Sequence, residues 1–338
     1  MVKILSIDGG GIRGIIPAIV LREIETWLRR SGKAYQLADV FDLIAGTSTG
    51  ALIALGLALP KTLGASAAKR TGKEERRRAA MSSAAIVRLY ERRGQEVFPS
   101  HFYRRWTVQA VRHKYPPAGL ERLLGETFGA ATLKDALTNL LITSLDTEKM
   151  EPHCFKNRPD RPVWKDDLNF FMRDAARAAT AAPTYFPPAH ISPVPPNGKL
   201  YCLVDGGLFA GNPAMLAYHE ATKIFPRDKN FLILSLGTGI VSTGYRYDEI
   251  HRWGYLEWVN PAKGFPLAAM MLAGQSEAVT HRLSRMAGVR YVRLNASLAG
   301  ASLQMDDARP QNVESLKAIA ARLIAENRQA IDHLCELL

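Results

Sequence analysis

The sequence is poor in cysteine. Cys154, Cys202 and Cys335 are the only three in 338 residues, widely spaced and odd in number. That excludes a disulfide-stapled scaffold and a C-x-x-C metal centre, and it makes a reducing compartment the default. Long apolar runs are also missing. The longest, Ala51 to Leu59, falls far short of the roughly 20 residues that a bilayer requires. The run at Met1 to Asp8 is too short for a secretory signal, so a cytoplasmic location is expected. No repeats or low-complexity tracts occur. No Gly-Lys-Ser/Thr ending of a P-loop occurs either, which argues against a nucleotide fold. Nothing resembles a nucleic-acid reader motif, so no nucleic-acid polymer is expected as a partner.

Basic charge, by contrast, is abundant and uneven. The chain carries +12, and residues 69 to 114 hold thirteen Lys and Arg against four acids. Such a stretch suits an anionic partner, whether lipid, nucleotide or nucleic acid, or it is simply a solvated face. Within and around it, residues 61 to 83 are small, polar and charged and read as an exposed insertion. Phe98 to Trp106 mixes aromatics with arginines, which suits a membrane interface or a stacked nucleotide base, or else a loop packed on the core.

At 47% hydrophobic, the chain can bury a large core. Strand and helix patterns alternate along its length, which predicts an α/β fold. Val2 to Ile7 reads as a strand, followed by Asp8-Gly9-Gly10-Gly11-Ile12-Arg13-Gly14 and then a helix with Pro17 in its first turn. Phe41 to Ala45 reads as a buried strand, Gly46-Thr47-Ser48-Thr49-Gly50 as a tight turn, and Ala51 to Leu59 as a buried helix. Further helices are expected at Ala84 to Arg93, Gly119 to Phe128, Phe170 to Ala182, Leu267 to Met286 and Val313 to Leu338. Further strands are expected at Thr138 to Leu145, Glu151 to Lys156, Lys199 to Val204, Phe231 to Leu236 and Arg290 to Leu294.

The turn at Ser48 is G-x-S-x-G between a strand and a helix, the layout of a nucleophile elbow. Side chains at Gly46 or Gly50 would collide with the neighbouring strand and helix, and the helix N-terminus would face any negative charge formed on Ser48. Three consecutive glycines at 9 to 11 expose backbone N–H groups as an anion nest suited to an oxyanion, with Arg13 adding a positive charge beside it.

A neutral serine needs a base. One solution is a triad containing His, for which His219, His251, His281 and His333 follow in the chain; His251 is the best placed, in irregular sequence. The other is an acid acting directly. Asp205 ends a strand ahead of Gly206-Gly207, and burial would raise its basicity. Asp42 lies at the wrong end of its strand, and Asp8 reads as structural, holding its turn by backbone hydrogen bonds.

Taken in order, Asp8-Gly-Gly-Gly-Ile-Arg-Gly14, Gly46-Thr-Ser-Thr-Gly50 and Asp205-Gly-Gly207 resemble the three signature motifs of patatin-like phospholipases. Arg177-Ala-Ala-Thr-Ala-Ala-Pro-Thr-Tyr-Phe-Pro187 and Ser235-Leu-Gly-Thr-Gly239 resemble family segments too. The resemblance spans residues 2 to 240, with a helical part from 241 to 338, in a single domain over 1 to 338; the insertion at 61 to 83 does not match the family pattern. It implies a three-layer α/β/α sandwich with a mostly parallel sheet. It also implies lipid acyl hydrolysis through a Ser48–Asp205 dyad, and an oxyanion hole at Gly9, Gly10 and Gly11 with Arg13 nearby. No metal or organic cofactor is implied. The expected partner is a phospholipid membrane surface, met peripherally at the inner face, and the oligomeric state is open. Some similar bacterial proteins act in anti-phage defence when a cyclic nucleotide activates them, and the basic stretch suits such an activator as well as lipid. The rival readings are a His-containing triad esterase and a non-catalytic anion or nucleic-acid binder.

Overall fold

The computed structural model describes residues 1–61, 78–99, 112–157, 169–194, 198–240, 244–260, 263 and 265–338. Most of the insertion at 61 to 83, and the aromatic–arginine stretch beyond residue 99, therefore lie outside the described residues. Eight strands form one sheet. They are β1 (Val2–Ile7), β2 (Leu43–Thr47), β3 (Asn139–Asp146), β4 (Glu151–Lys156), β5 (Ala189–Ile191), β6 (Tyr201–Asp205), β7 (Phe231–Leu236) and β8 (Val289–Leu294). The order is β5-β6-β3-β2-β1-β7-β8, with β4 also paired to β3. The run β3-β2-β1-β7-β8 is parallel, whereas β4 and β6 pair antiparallel with β3 and β5 pairs antiparallel with β6. The sheet is thus mostly parallel, as expected for this class.

Alternation along the central strands sorts side chains between two helical layers. Leu5 and Ile7 of β1, Ile44 of β2 and Leu232, Leu234 and Leu236 of β7 enter the larger core. That core also takes side chains from α1 (Ile15–Arg30), α2 (Thr49–Ala58), α3 (Ser83–Val97), α4 (Ala118–Phe128) and α5 (Met172–Ala179). Val2, Ile4, Leu43, Ala45, Phe231 and Ile233 point the other way, into a smaller core under α6 (Ala214–Ile224) and the end of α7 (Pro266–Leu283). Each fully buried Leu or Ile contributes about 1.5–3 kcal/mol, so the β1–β2–β7 centre, lined on both faces, anchors the sandwich.

Several boundaries differ from the sequence reading. The elbow strand starts at Leu43 and continues to Thr47, two residues further than expected. Its first expected residue, Phe41, is a core residue that precedes the strand. The helix expected over 170 to 182 runs only from Met172 to Ala179; the Thr180 hydroxyl donates to the Ala176 carbonyl (2.7 Å) at its end. β5 lies after a run of prolines and had no sequence signal. The single C-terminal helix is two, α8 (Pro310–Glu326) and α9 (Arg328–Leu337). They part at Asn327, whose side-chain amide donates to the Leu323 carbonyl (2.9 Å) and so competes with the helical ladder.

The elbow is set by close backbone approach. A Cβ on Gly50 would strike the Ile7 carbonyl of β1, and one on Gly46 would strike Gly50 itself. Gly125, inside α4, has open space around it. Two glycine-to-alanine substitutions should therefore move stability in opposite directions. Gly125→Ala should stabilise by about 0.5–1 kcal/mol, and Gly50→Ala should destabilise by about 3 kcal/mol or more. Urea unfolding reads both; equal effects of the two would contradict this account of the elbow.

Candidate active site

Ser48 sits between β2 and α2 as the N-cap residue, with φ 54° and ψ −121°. A non-glycine residue in that region costs on the order of 1–3 kcal/mol and persists only where its surroundings dictate it. The close approaches at Gly46 and Gly50 provide that constraint on either side. Thr47 adds a tether, since its hydroxyl meets the Thr143 hydroxyl (2.7 Å) and the Ala210 carbonyl (2.6 Å).

Asp205 reaches the same place from β6. In the sheet, Thr47 lies opposite Thr143 and Ser144 opposite Asp205, so the carboxylate is level with the end of the nucleophile strand. The Asp205 N–H donates to the Ala181 carbonyl (3.1 Å), which ties the acid to the chain leaving α5. Its carboxylate accepts from the Gly207 N–H (2.8 Å), and the Ser48 side chain lies close enough to favour its charged form. Asp205 is buried (5% exposed), and no cation pairs with it among the described residues. Burial raises its pKa from 3.8 to about 6, with Ser48 and the Gly207 N–H pulling the other way.

The glycine loop closes the site from the β1 side. A Cβ on Gly9 would lie 3.2 Å from the Ser48 Cβ, so the loop backbone passes directly beside the nucleophile. The sequence reading assigned N–H groups of all three glycines to the anion nest. The Gly9 N–H is instead committed to the Gly211 carbonyl (3.1 Å). The N–H groups of Gly10 and Gly11 have no acceptor among the described residues. Gly10 leaves no room for a side chain against Thr238, and Gly11 has φ 59° against the Met305 carbonyl. Arg13 is buried, with its Nε donating to the Gly10 carbonyl (3.2 Å). Burial lowers its pKa to about 10, and the guanidinium stays charged at neutral pH.

Three contributors carried little or no sequence signal. The Thr238 hydroxyl donates to the Gly9 carbonyl (2.5 Å) and latches the loop; its segment stood out, but not its contact. Tyr90, from α3, joins its hydroxyl to that of Thr49 in the first turn of α2. Arg293, on β8, clasps Asp8 through both carboxylate oxygens (3.0 and 2.5 Å) and also donates to Ser235 (2.9 Å) and Ser276 (3.1 Å). Burial alone would lower the Arg293 pKa, but the Asp8 charge and hydrogen bonds, together with Tyr291 and Glu277, hold it above its ordinary value. Asp8 is thus an ion-pair partner rather than a holder of its own turn through backbone bonds. Asp42 accepts from the Lys3 N–H (2.8 Å) at the opposite end of the sheet.

The histidines that a triad would need lie elsewhere. His251 is exposed and stacked on Tyr247 at 5.2 Å, and His333 meets Arg290 at 2.6 Å. His219 and His281 sit within α6 and α7. Among the described residues, no histidine hydrogen-bonds Asp205. The basic stretch at 69 to 114 is described only in part, with seven of its basic residues outside the described residues. Of the rest, Arg93 pairs with Glu96 (2.8 Å) and Glu126 (2.7 Å), and Lys114 pairs with Asp306.

Comparison with known proteins points the same way as the motifs. The family model of the patatin-like phospholipases matches residues 5–218, which include Ser48, Asp205 and the glycine loop. Patatin-like protein 2 of Arabidopsis thaliana is 33% identical, over 96% of this chain and 83% of its own. Patatin-15 of Solanum tuberosum is 32% identical, over 96% and 84%. Patatin-like protein 2 of Oryza sativa subsp. japonica is 28% identical, over 98% and 86%. The chain belongs to the patatin-like phospholipase family of lipid acyl hydrolases.

Proposed function

We propose that the protein hydrolyses carboxylic esters of membrane phospholipids through a Ser48–Asp205 dyad and an acyl-enzyme. The observation that carries this reading is a strained Ser48 beside a buried Asp205 that pairs with no cation among the described residues and whose pKa stands near 6. That value places the group close to the range in which a carboxylate is both ionised at neutral pH and basic enough to take a proton.

In the first half-reaction, Asp205 accepts the hydroxyl proton as the Ser48 Oγ attacks the ester carbonyl carbon. The oxyanion is held by the Gly10 and Gly11 N–H groups, with the Arg13 charge behind their loop. The tetrahedral intermediate collapses, the bond to the lyso-lipid oxygen breaks, and Asp205 returns the proton to that oxygen. In the second half-reaction, Asp205 takes a proton from water, which attacks the acyl carbon. Collapse then releases the fatty acid, and the proton goes back to Ser48. Gating by a cyclic nucleotide, and with it a defence role, extends this proposal. It rests on the resemblance and the basic stretch, and full activity without any cyclic dinucleotide would oppose it.

Ser48→Ala and Asp205→Asn should each lower phospholipid hydrolysis by at least ~10³-fold while the fold persists. Product mass spectrometry from mixed vesicles checks this; turnover by folded Ser48→Ala near the wild-type rate sinks the dyad. Wild-type activity should fall as pH drops through about 6, because protonated Asp205 is no longer a base. Stability should move the other way. A carboxyl whose folded pKa exceeds its unfolded value stabilises the fold only while protonated. That contribution is complete below 3.8 and is lost as pH rises through about 6. Asp205→Asn, neutral throughout, should therefore be about 3 kcal/mol more stable than wild type at pH 7, with no gain below pH ~4. Denaturant unfolding at the two pH values reads this directly, and a less stable Asp205→Asn at pH 7 would refute it.

A further inference from the structure

Thirteen large apolar side chains are exposed among the described residues, and seven of them fall within 240 to 271. The concentration is local, and α7 explains part of it. This helix opens Pro-Leu-Ala-Ala-Met-Met-Leu, yet only Pro266 and Leu283 of its eighteen residues are buried. Leu267, Met270 and Met271 follow helical spacing on one uncovered face, 46–55% exposed. Ahead of the helix, Tyr255 and Leu256 stand 78% and 72% exposed on a one-turn helix, Tyr255–Trp258. Beside them Trp253 packs edge-on against Trp258 at 5.3 Å, and the Lys263 ammonium sits 4.3 Å from the centre of the Trp253 ring. An apolar face rimmed by tryptophan, tyrosine and lysine is the composition of a membrane–water interface.

This face is continuous with the active site. α7 packs on the single turn Gly207–Ala210, which begins two residues after Asp205. The Gln275 side chain donates to the Leu208 carbonyl (3.1 Å), and Leu208 itself is 48% exposed. A Cβ on Gly211 would lie 3.2 Å from Leu272. Ile240, also exposed, follows the end of β7, the edge at which the parallel strands deliver the glycine loop and Ser48. Charge indicates which lipid fits. Around the aromatic rim, Arg246, Arg252 and Lys263 are matched by Asp248, Glu249 and Glu257, in a chain that is +12 overall. A balanced rim complements zwitterionic headgroups.

We propose that residues 245–260, 263 and 265–271, with Leu208, form the surface that docks on a zwitterionic phospholipid bilayer and sets the active site against it, rather than the basic stretch at 69 to 114. The proposal rests on the phospholipase reading above, but its test does not depend on turnover. Full-length Ser48→Ala protein is floated with phosphatidylcholine vesicles, alone and with Leu256→Asp and Met271→Asp combined. The combined variant should lose at least tenfold in vesicle partition while its thermal unfolding midpoint stays that of the parent, since both side chains are exposed. Raising salt from 0.1 to 0.5 M should change the parent's partition less than twofold, because screening acts on charge and not on apolar contact. Three results would overturn it. One is unchanged flotation of the combined variant. Another is a parent that binds only anionic vesicles and leaves them in salt. The third is a parent dimer, seen by sedimentation, that the same substitutions dissolve, which would give the face to a second copy of this chain. Residual hydrolysis by Ser48→Ala would instead count against the dyad and leave the flotation result standing.

Discussion

Everything at the site depends on holding one serine where serine does not rest. At φ 54° Ser48 would relax into an ordinary strand or helix geometry if the chain beside it had room. It has none. Gly50 lies against the Ile7 carbonyl, Gly46 against the first turn of α2, and the Thr47 hydroxyl is anchored to Thr143 and to Ala210. The force behind these contacts is the burial of β1, β2 and β7 between two apolar layers. Core packing is thereby converted into backbone strain at a single position, and the strain presents the Oγ to Asp205.

Two strand-end carboxylates on this sheet have opposite surroundings. Asp8 is paired through both oxygens with Arg293, a cation that opposes, without cancelling, the upward push of burial on its pKa. Asp205 is just as buried but, among the described residues, receives the Gly207 N–H and no cation. Pairing makes an acid a strut, whereas burial without a cation keeps it reactive. That difference, more than position in the motif, separates the structural aspartate from the candidate base. The glycine loop divides its work in the same way. Gly9 fastens the loop through its N–H to Gly211 and its carbonyl to Thr238, while the N–H groups of Gly10 and Gly11 meet no acceptor among the described residues.

Much of this was legible in the sequence because it depends on short-range pattern. Alternation and apolar runs predicted most strands, and the glycines around Ser48 and at 9 to 11 marked close approaches that the fold contains. Asp205 was recognisable from its place at a strand end before two glycines. The rest depends on partners distant in the chain. Arg293 lies 285 residues from Asp8, and its sequence context, Val-Arg-Tyr-Val-Arg-Leu, reads only as a strand with outward charges. The commitment of the Gly9 N–H to Gly211 follows from how the loop after β6 folds back, which no local pattern encodes. Asn327 divides the last helix by one side-chain bond that helix periodicity does not register. The uncovered face of α7 was invisible for a different reason: its composition suggests a core helix, and only the structure leaves it bare.

The central claim is that Asp205 ionisation activates Ser48. The most direct measurement is the rate at which a fluorophosphonate modifies the protein as a function of pH, followed by intact-mass spectrometry with the adduct mapped to its residue. The account predicts one adduct, on Ser48, whose rate of formation rises through an apparent pKa near 6 and collapses in Asp205→Asn. An adduct forming on Ser48 at the same rate in Asp205→Asn, without pH dependence, would contradict it.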